Sequence, residues 1–91
     1  MTTLSVRHTV SDFDTWKSAF DSHETARRSH GATSHLVVRD GNDIEVLIDF
    51  PSVDAARSFT ADPTLKATMD KAGVISAPQI TFGDTVEQVR Y

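Results

Sequence analysis

Gly41-Asn42 separates two alternating runs, Ser34 to Asp40 and Asp43 to Phe50, and no other feature of the chain restricts its fold so tightly. A two-residue link of this kind suits a tight hairpin turn, which needs positive φ angles that glycine adopts without steric cost. A hairpin closed there has one register: Arg39 opposes Ile44, Val37 opposes Val46 and His35 opposes Ile48. Opposed residues point to the same side of a sheet, so the register also sorts the two faces. The other face carries Ser34, Leu36, Val38, Glu45, Leu47 and Asp49.

The segment Thr3 to Val10 alternates as well. Leu4, Val6, His8 and Val10 face one way, and Ser5, Arg7 and Thr9 the other. A period of two with β-branched content predicts a strand. Ser11 or Asp12 can cap the helix that follows, in which Phe13, Trp16, Phe20 and His23 or Glu24 recur at helical spacing. This helix is expected to reach about Arg28. Arg27, Arg28 and His30 then sit near its negative end, and Gly31 stops it.

Pro51 ends the third strand, and Ser52 caps a second helix whose buried stripe is Val53, Ala56, Phe59 and Thr60. Asp62-Pro63 interrupts that helix, with Pro63 in a first helical position. Leu65, Met69 and Ala72 continue on a second helical piece to Gly73. Pro78 precedes a short strand, Gln79 to Phe82. Gly83-Asp84 is expected to turn the chain into a last alternating run, Thr85 to Tyr91.

The order β-α-β-β-α-β, with right-handed crossovers, puts both helical segments on one face of an antiparallel sheet of strand order 4-1-3-2. The expectation is an α+β, ferredoxin-like single domain over residues 1–91 with an extra C-terminal strand. The helices cover Leu4, Val6, Val37, Ile44, Val46, Ile48, Phe50, Ile80 and Phe82. The opposite face keeps Leu36, Val38 and Leu47 beside Arg7, Glu45 and Asp49. Arg7 is expected to pair with Glu45 or Asp49. A face this apolar calls for cover, and a chain of 91 residues buries a modest core by itself. A homodimer solves both problems, and the last run can add to the partner's sheet edge.

The bulk composition narrows the function classes. With no cysteine, disulfides and thiolate metal sites are excluded. A net charge of −4 and no basic cluster beyond Arg27-Arg28 argue against nucleic acid. No apolar run spans a bilayer and no leader pattern opens the chain, so a cytoplasmic protein with no membrane partner is expected.

The stretches Val6-Arg7-His8-Thr9-Val10-Ser11-Asp12-Phe13-Asp14-Thr15-Trp16, Arg39-Asp40-Gly41-Asn42 and Phe50-Pro51-Ser52 resemble the dimeric α/β-barrel superfamily. Within it they look like the small proteins grouped with antibiotic biosynthesis monooxygenases and polyketide cyclases. The resemblance implies a ligand cavity between helices and sheet in each subunit, and chemistry without a cofactor on an aromatic or polyketide-like molecule. It does not extend to the haem-degrading members, which use an Asn on the first strand with a His and a Trp on the second helix. Here the only asparagine is Asn42, in the turn.

His8 is the main candidate base. It lies on a central strand, on the helix-facing side, and its ordinary pKa of about 6.5 suits proton transfer near neutrality. A core histidine bonded to backbone is the alternative. His35 shares that face by the hairpin register and is the second catalytic candidate. His23 follows Trp16 and Phe20 at helical spacing. The three histidines lack the tight spacing of a metal site, so no metal is expected. Trp16, Phe20, His23, Phe50, Phe59 and Met69 are the candidate substrate-binding residues, and for most of the aromatics an ordinary core role is the alternative. Arg39 is the candidate for binding an anionic oxygen. Three functions stay open: a cofactor-free monooxygenase or cyclase, a non-catalytic ligand-binding or stress-related barrel, and a purely structural dimerisation module. All site assignments require the His8 side chain to face the helical layer.

Overall fold

A computed structural model describes residues 1–91. Its elements are β1 (Thr2–Thr9), α1 (Phe13–Ser22), α2 (Glu24–Ser29), β2 (Ser34–Asp40), β3 (Asp43–Phe50), α3 (Val53–Thr60), α4 (Pro63–Lys71) and β4 (Gln79–Asp84). The four strands form one antiparallel sheet in the order β2-β3-β1-β4, which is the ferredoxin-like arrangement. The hairpin register is the one the turn dictates, with Arg39 opposite Ile44, Val37 opposite Val46 and His35 opposite Ile48. Within the turn only Gly41 takes a positive φ, +59°, as in tight hairpins with glycine at the first central position.

The helix starts follow from side-chain capping, which satisfies backbone N–H groups that lack an intrahelical partner. Asp12 accepts from the Thr15 N–H at 2.9 Å, Ser52 from the Ala55 N–H at 3.1 Å, and Asp62 from the Thr64 N–H at 2.9 Å. Pro63 opens α4, where a missing N–H costs nothing. After α2 the chain reverses at Gly31, φ +96°. Gly31 N–H donates to the Arg28 carbonyl and Ala32 N–H to the Arg27 carbonyl, each at 3.0 Å, which is a Schellman ending.

Leu4, Val6, Ile44, Val46, Ile48 and Phe50 from the inner sheet face pack with Trp16, Ala56, Phe59 and Ala72 from the helices. The outer face leaves Leu36 at 56% and Val38 at 49% exposure, and Arg7 lies 3.6 Å from Glu45 there. No helix is long and apolar enough to cross a membrane.

Three sequence expectations change. The first helix breaks at His23, whose N–H bonds the Phe20 carbonyl three residues back, so α1 and α2 are separate pieces. Gly83-Asp84 is not a turn: it stays extended, with Gly83 opposite Thr3 and Asp84 opposite Thr2, because pairing with β1 outweighs local turn preference. The C-terminal run forms no strand. Thr85 N–H adds one bond to the Met1 carbonyl, and beyond it no neighbouring strand lies alongside, leaving Val86 and Tyr91 exposed. Ile80 shares the inner face but sits on the edge strand and stays 41% exposed.

Candidate functional site

The helices do not close completely on the inner sheet face. A cavity of about 50 Å³ remains, lined from the sheet by Val6, His8, Val46 and Ile48. From α1, the following bend and α2 come Trp16, Phe20, His23 and Arg27, and from α3 and α4 come Phe59, Leu65, Thr68 and Met69. Its volume suits a few waters and is well below the several hundred Å³ of ordinary small-molecule pockets.

His8 reaches the cavity because the alternation of β1 turns it to the helical side, opposite Ile44. It is 8% exposed, and neither Nδ1 nor Nε2 has a hydrogen-bond partner in the protein. Burial pushes its pKa below the ordinary histidine value, because a charged imidazole loses hydration there. Near neutral pH it is therefore an uncharged ring with a free lone pair. The Trp16 ring lies 5.8 Å from it, and Phe20 stacks on Trp16 at 4.9 Å with a 22° interplanar angle. The rings form a stack, in which Trp16 and Phe20 partly cover each other's faces.

Arg27 extends that stack and was not among the residues singled out from sequence. Its guanidinium carbon sits 3.7 Å from the Phe20 ring centroid, and Nη1 donates to the Phe20 carbonyl at 2.7 Å. The residue is 3% exposed, and its Nη2 has no partner. Burial lowers its pKa, with Glu24 and Asp21 acting the other way. A signal was present: Trp16, Phe20, His23 and Arg27 recur at spacings of four, three and four, one continuous helical stripe. Reading Arg27 as a helix-end cation hid it.

His23 lines the cavity and begins a polar chain across the helical layer. Its Nε2 lies 3.2 Å from Thr64 Oγ1, which donates to Asp62 Oδ1 at 2.8 Å. Asp62 Oδ2 is 2.9 Å from His30 Nε2, and His30 Nδ1 is 3.1 Å from Ser58 Oγ. The hydrogen bond from His30, then those from the Thr64 N–H and hydroxyl, hold the Asp62 carboxyl down at about 2. A depressed carboxyl pKa contributes stability that is complete above the ordinary value and is lost as pH falls through the folded value. Asp62→Asn is therefore expected to lower stability at neutral pH and to flatten the loss between 3.8 and about 2, read as thermal midpoint against pH. Identical acid profiles for both proteins would refute this.

The remaining sequence candidates lie elsewhere. His35 does not line the cavity; its ring stands edge-on to Phe20 at 5.1 Å, because β2 is the outer strand. Arg39 stacks on Phe13 at 4.0 Å and lines an open polar groove of about 520 Å³ with Arg7, Asp43 and Glu45. His8 lines that groove as well, so it borders both spaces, while Arg39 does not line the cavity. Phe50 is fully buried against Phe59, 5.6 Å between centroids, and belongs to the packed core rather than the cavity wall. His8 and His23 line the cavity without His35, and no group of three or more His, Cys, Asp or Glu is placed to hold a metal ion.

No family model matches the chain, and no curated protein matches it. Solved structures do. A point variant of SnoaB, a cofactor-independent oxygenase from Streptomyces nogalater, superposes with a TM-score of 0.77 at 16% identity, over 99% of this chain and 97% of that one. A Caulobacter crescentus protein provisionally assigned as an antibiotic biosynthesis monooxygenase gives 0.75 at 18% identity, over 94% and 90%. A dimeric ferredoxin-like protein from an uncultured marine organism gives 0.64 at 12% identity, over 100% of both chains. The chain has the α+β ferredoxin-like fold of these antibiotic biosynthesis monooxygenase-like and dimeric ferredoxin-like proteins. At such identities the likeness is one of fold, and fold alone does not carry function.

Proposed function

We propose that this chain is a cofactor-free small-molecule enzyme, a monooxygenase or cyclase, acting on an aromatic or polyketide-like substrate in the cavity between helices and sheet. The observation that carries this reading is His8: a buried, uncharged imidazole with both nitrogens unpartnered in the protein, beside the Trp16–Phe20 stack. Buried polar atoms are nearly always hydrogen-bonded, so an orphan pair at a cavity suits a ligand. His8 takes a proton from a phenol or an activated carbon. In the oxygenase form the resulting electron-rich ring reacts with O₂, a ring CH₂ becomes a carbonyl, and water leaves. Trp16 and Phe20 border the substrate on one side; His23, Phe59 and Met69 complete the surround.

An aromatic substrate needs more room than the resting cavity provides. Leu65 and Met69 come from α4, which has no fully buried residue, and the flexible Met69 side chain yields readily. The protein works as a cytoplasmic homodimer in this reading. Exposed Leu36 and Val38 on the outer sheet face support a second copy as cover, and one of the similar structures is described as dimeric.

The test is incubation with anthrone under oxygen, following quinone formation and O₂ uptake. His8→Ala is expected to lower turnover by about 10²- to 10⁴-fold, the usual contribution of a general base. Equal turnover by the two proteins removes His8 from the reaction. A second reading is a non-catalytic ligand-binding barrel, which the unpartnered nitrogens of His8 and Arg27 at the cavity support equally. It is supported if hydroxyaromatics raise the melting temperature without being converted.

A further inference from the structure

Arg27 presents a charge problem that the fold leaves unsolved. A guanidinium stays protonated in proteins, and at 3% exposure this one is cut off from solvent. Burying a full charge is costly unless it is paired and hydrogen-bonded. Yet the neighbouring carboxylates are engaged elsewhere: Glu24 lies 3.4 Å from Arg28 and Asp21 2.6 Å from Lys17. One carbonyl and one aromatic face are what Arg27 has. A cation over a ring offsets part of the cost, but a carboxylate would also engage the idle Nη2 and form the paired hydrogen bonds suited to a guanidinium.

The rest of the cavity says what kind of anion fits. Nine of its thirteen lining residues are hydrophobic, and Arg27 is the one permanent cation among them. A doubly charged phosphate would leave a charge uncompensated in an apolar space, whereas a carboxylate on a flat ring matches both. The stacking order runs His8, Trp16, Phe20, Arg27. The candidate base and the cation therefore mark opposite ends of one stack of rings.

We propose that the cavity's ligand is an apolar aromatic carboxylate lying alongside the Trp16–Phe20 stack, its carboxylate on Arg27 and the end to be deprotonated at His8. This rests on the reading that the cavity is the substrate site. It adds a substrate class and a specificity-determining residue. Binding energy drawn from the remote carboxylate would serve to hold the reacting end at His8.

The test uses 2-naphthoate and its neutral near-isostere 2-naphthamide, titrated by calorimetry at neutral pH into the wild type, Arg27→Met and His8→Ala. The wild type is expected to bind the acid about tenfold or more tighter than the amide, the scale of a buried charge-assisted hydrogen bond. Arg27→Met should lose that preference, and His8→Ala should keep it. Equal binding of acid and amide by the wild type, or binding of neither, overturns the proposal. So does a preference that survives in Arg27→Met or disappears in His8→Ala. Should Arg27→Met be unstable, Arg27→Lys serves instead: it keeps the charge but loses the planar fork, and an undiminished preference with it overturns the paired geometry. Anthrone carries no carboxylate, so its oxidation by wild type and Arg27→Met alike would leave the enzyme reading standing without this one. A charge preference without oxidation would do the reverse.

Discussion

His8→Leu will be harder to unfold than the wild type and will have lost the proposed activity. The two effects have one cause. In the native protein both imidazole nitrogens lie buried without a protein partner, and a buried polar group left unsatisfied costs about 1–3 kcal/mol. Leucine has a similar volume and no polar atom, so the gain should fall in that range, read as a higher denaturant midpoint with unchanged slope. The pH dependence follows from the same burial. The folded pKa of His8 lies below the ordinary 6.5, so the unfolded chain binds the proton first. Stability from the neutral ring is complete above 6.5 and is lost as pH falls through the folded value. His8→Leu should remove that part of the acid-side slope. A leucine variant less stable than wild type at neutral pH would mean the imidazole is satisfied in solution and is no strained reserve for chemistry.

Phe50→Ala will destabilise the protein by about 3–5 kcal/mol, the range for deleting a buried aromatic ring. Phe50 is 0% exposed on β3 and packs on Phe59, where the surrounding sheet cannot collapse into the space. Domains of this size have about 5–15 kcal/mol in total, so much of the fold's margin disappears. The same truncation at Phe20, half-buried on α1 beside the cavity, should cost less and act on ligand binding instead. Urea titrations of the two variants decide it. A loss at Phe50 no greater than at Phe20 would mean that the core and the cavity wall are not separate.

Much of this separation is hidden in the sequence, for a definite reason. Phe20, Phe50 and Phe59 carry the same periodicity signal, since a helical or strand pattern says which face a side chain is on and not whether that face is filled. His35 illustrates the limit: its phase was legible, and the register holds, but β2 is the outer strand and leaves the ring exposed beside Phe20. Arg39 was likewise on the expected face yet stacks on Phe13, because contact partners depend on how α1 crosses the sheet. The C-terminal run alternates convincingly and still forms no strand, as a strand exists only against a neighbour.

Short-range chemistry determined the hairpin at Gly41-Asn42, the caps at Asp12 and Ser52, the helix break at Asp62-Pro63, the stop at Gly31, and through alternation the inward phase of His8. These rest on contacts among residues close in the chain, which is why one sequence suffices to read them. Tertiary packing alone decided that a space remains beneath the helices, that Phe50 lies outside it, and that Arg27 meets no carboxylate. Those are properties of how separate elements approach one another. A difference of an ångström between packed surfaces, which no local pattern encodes, is enough to close or open the space.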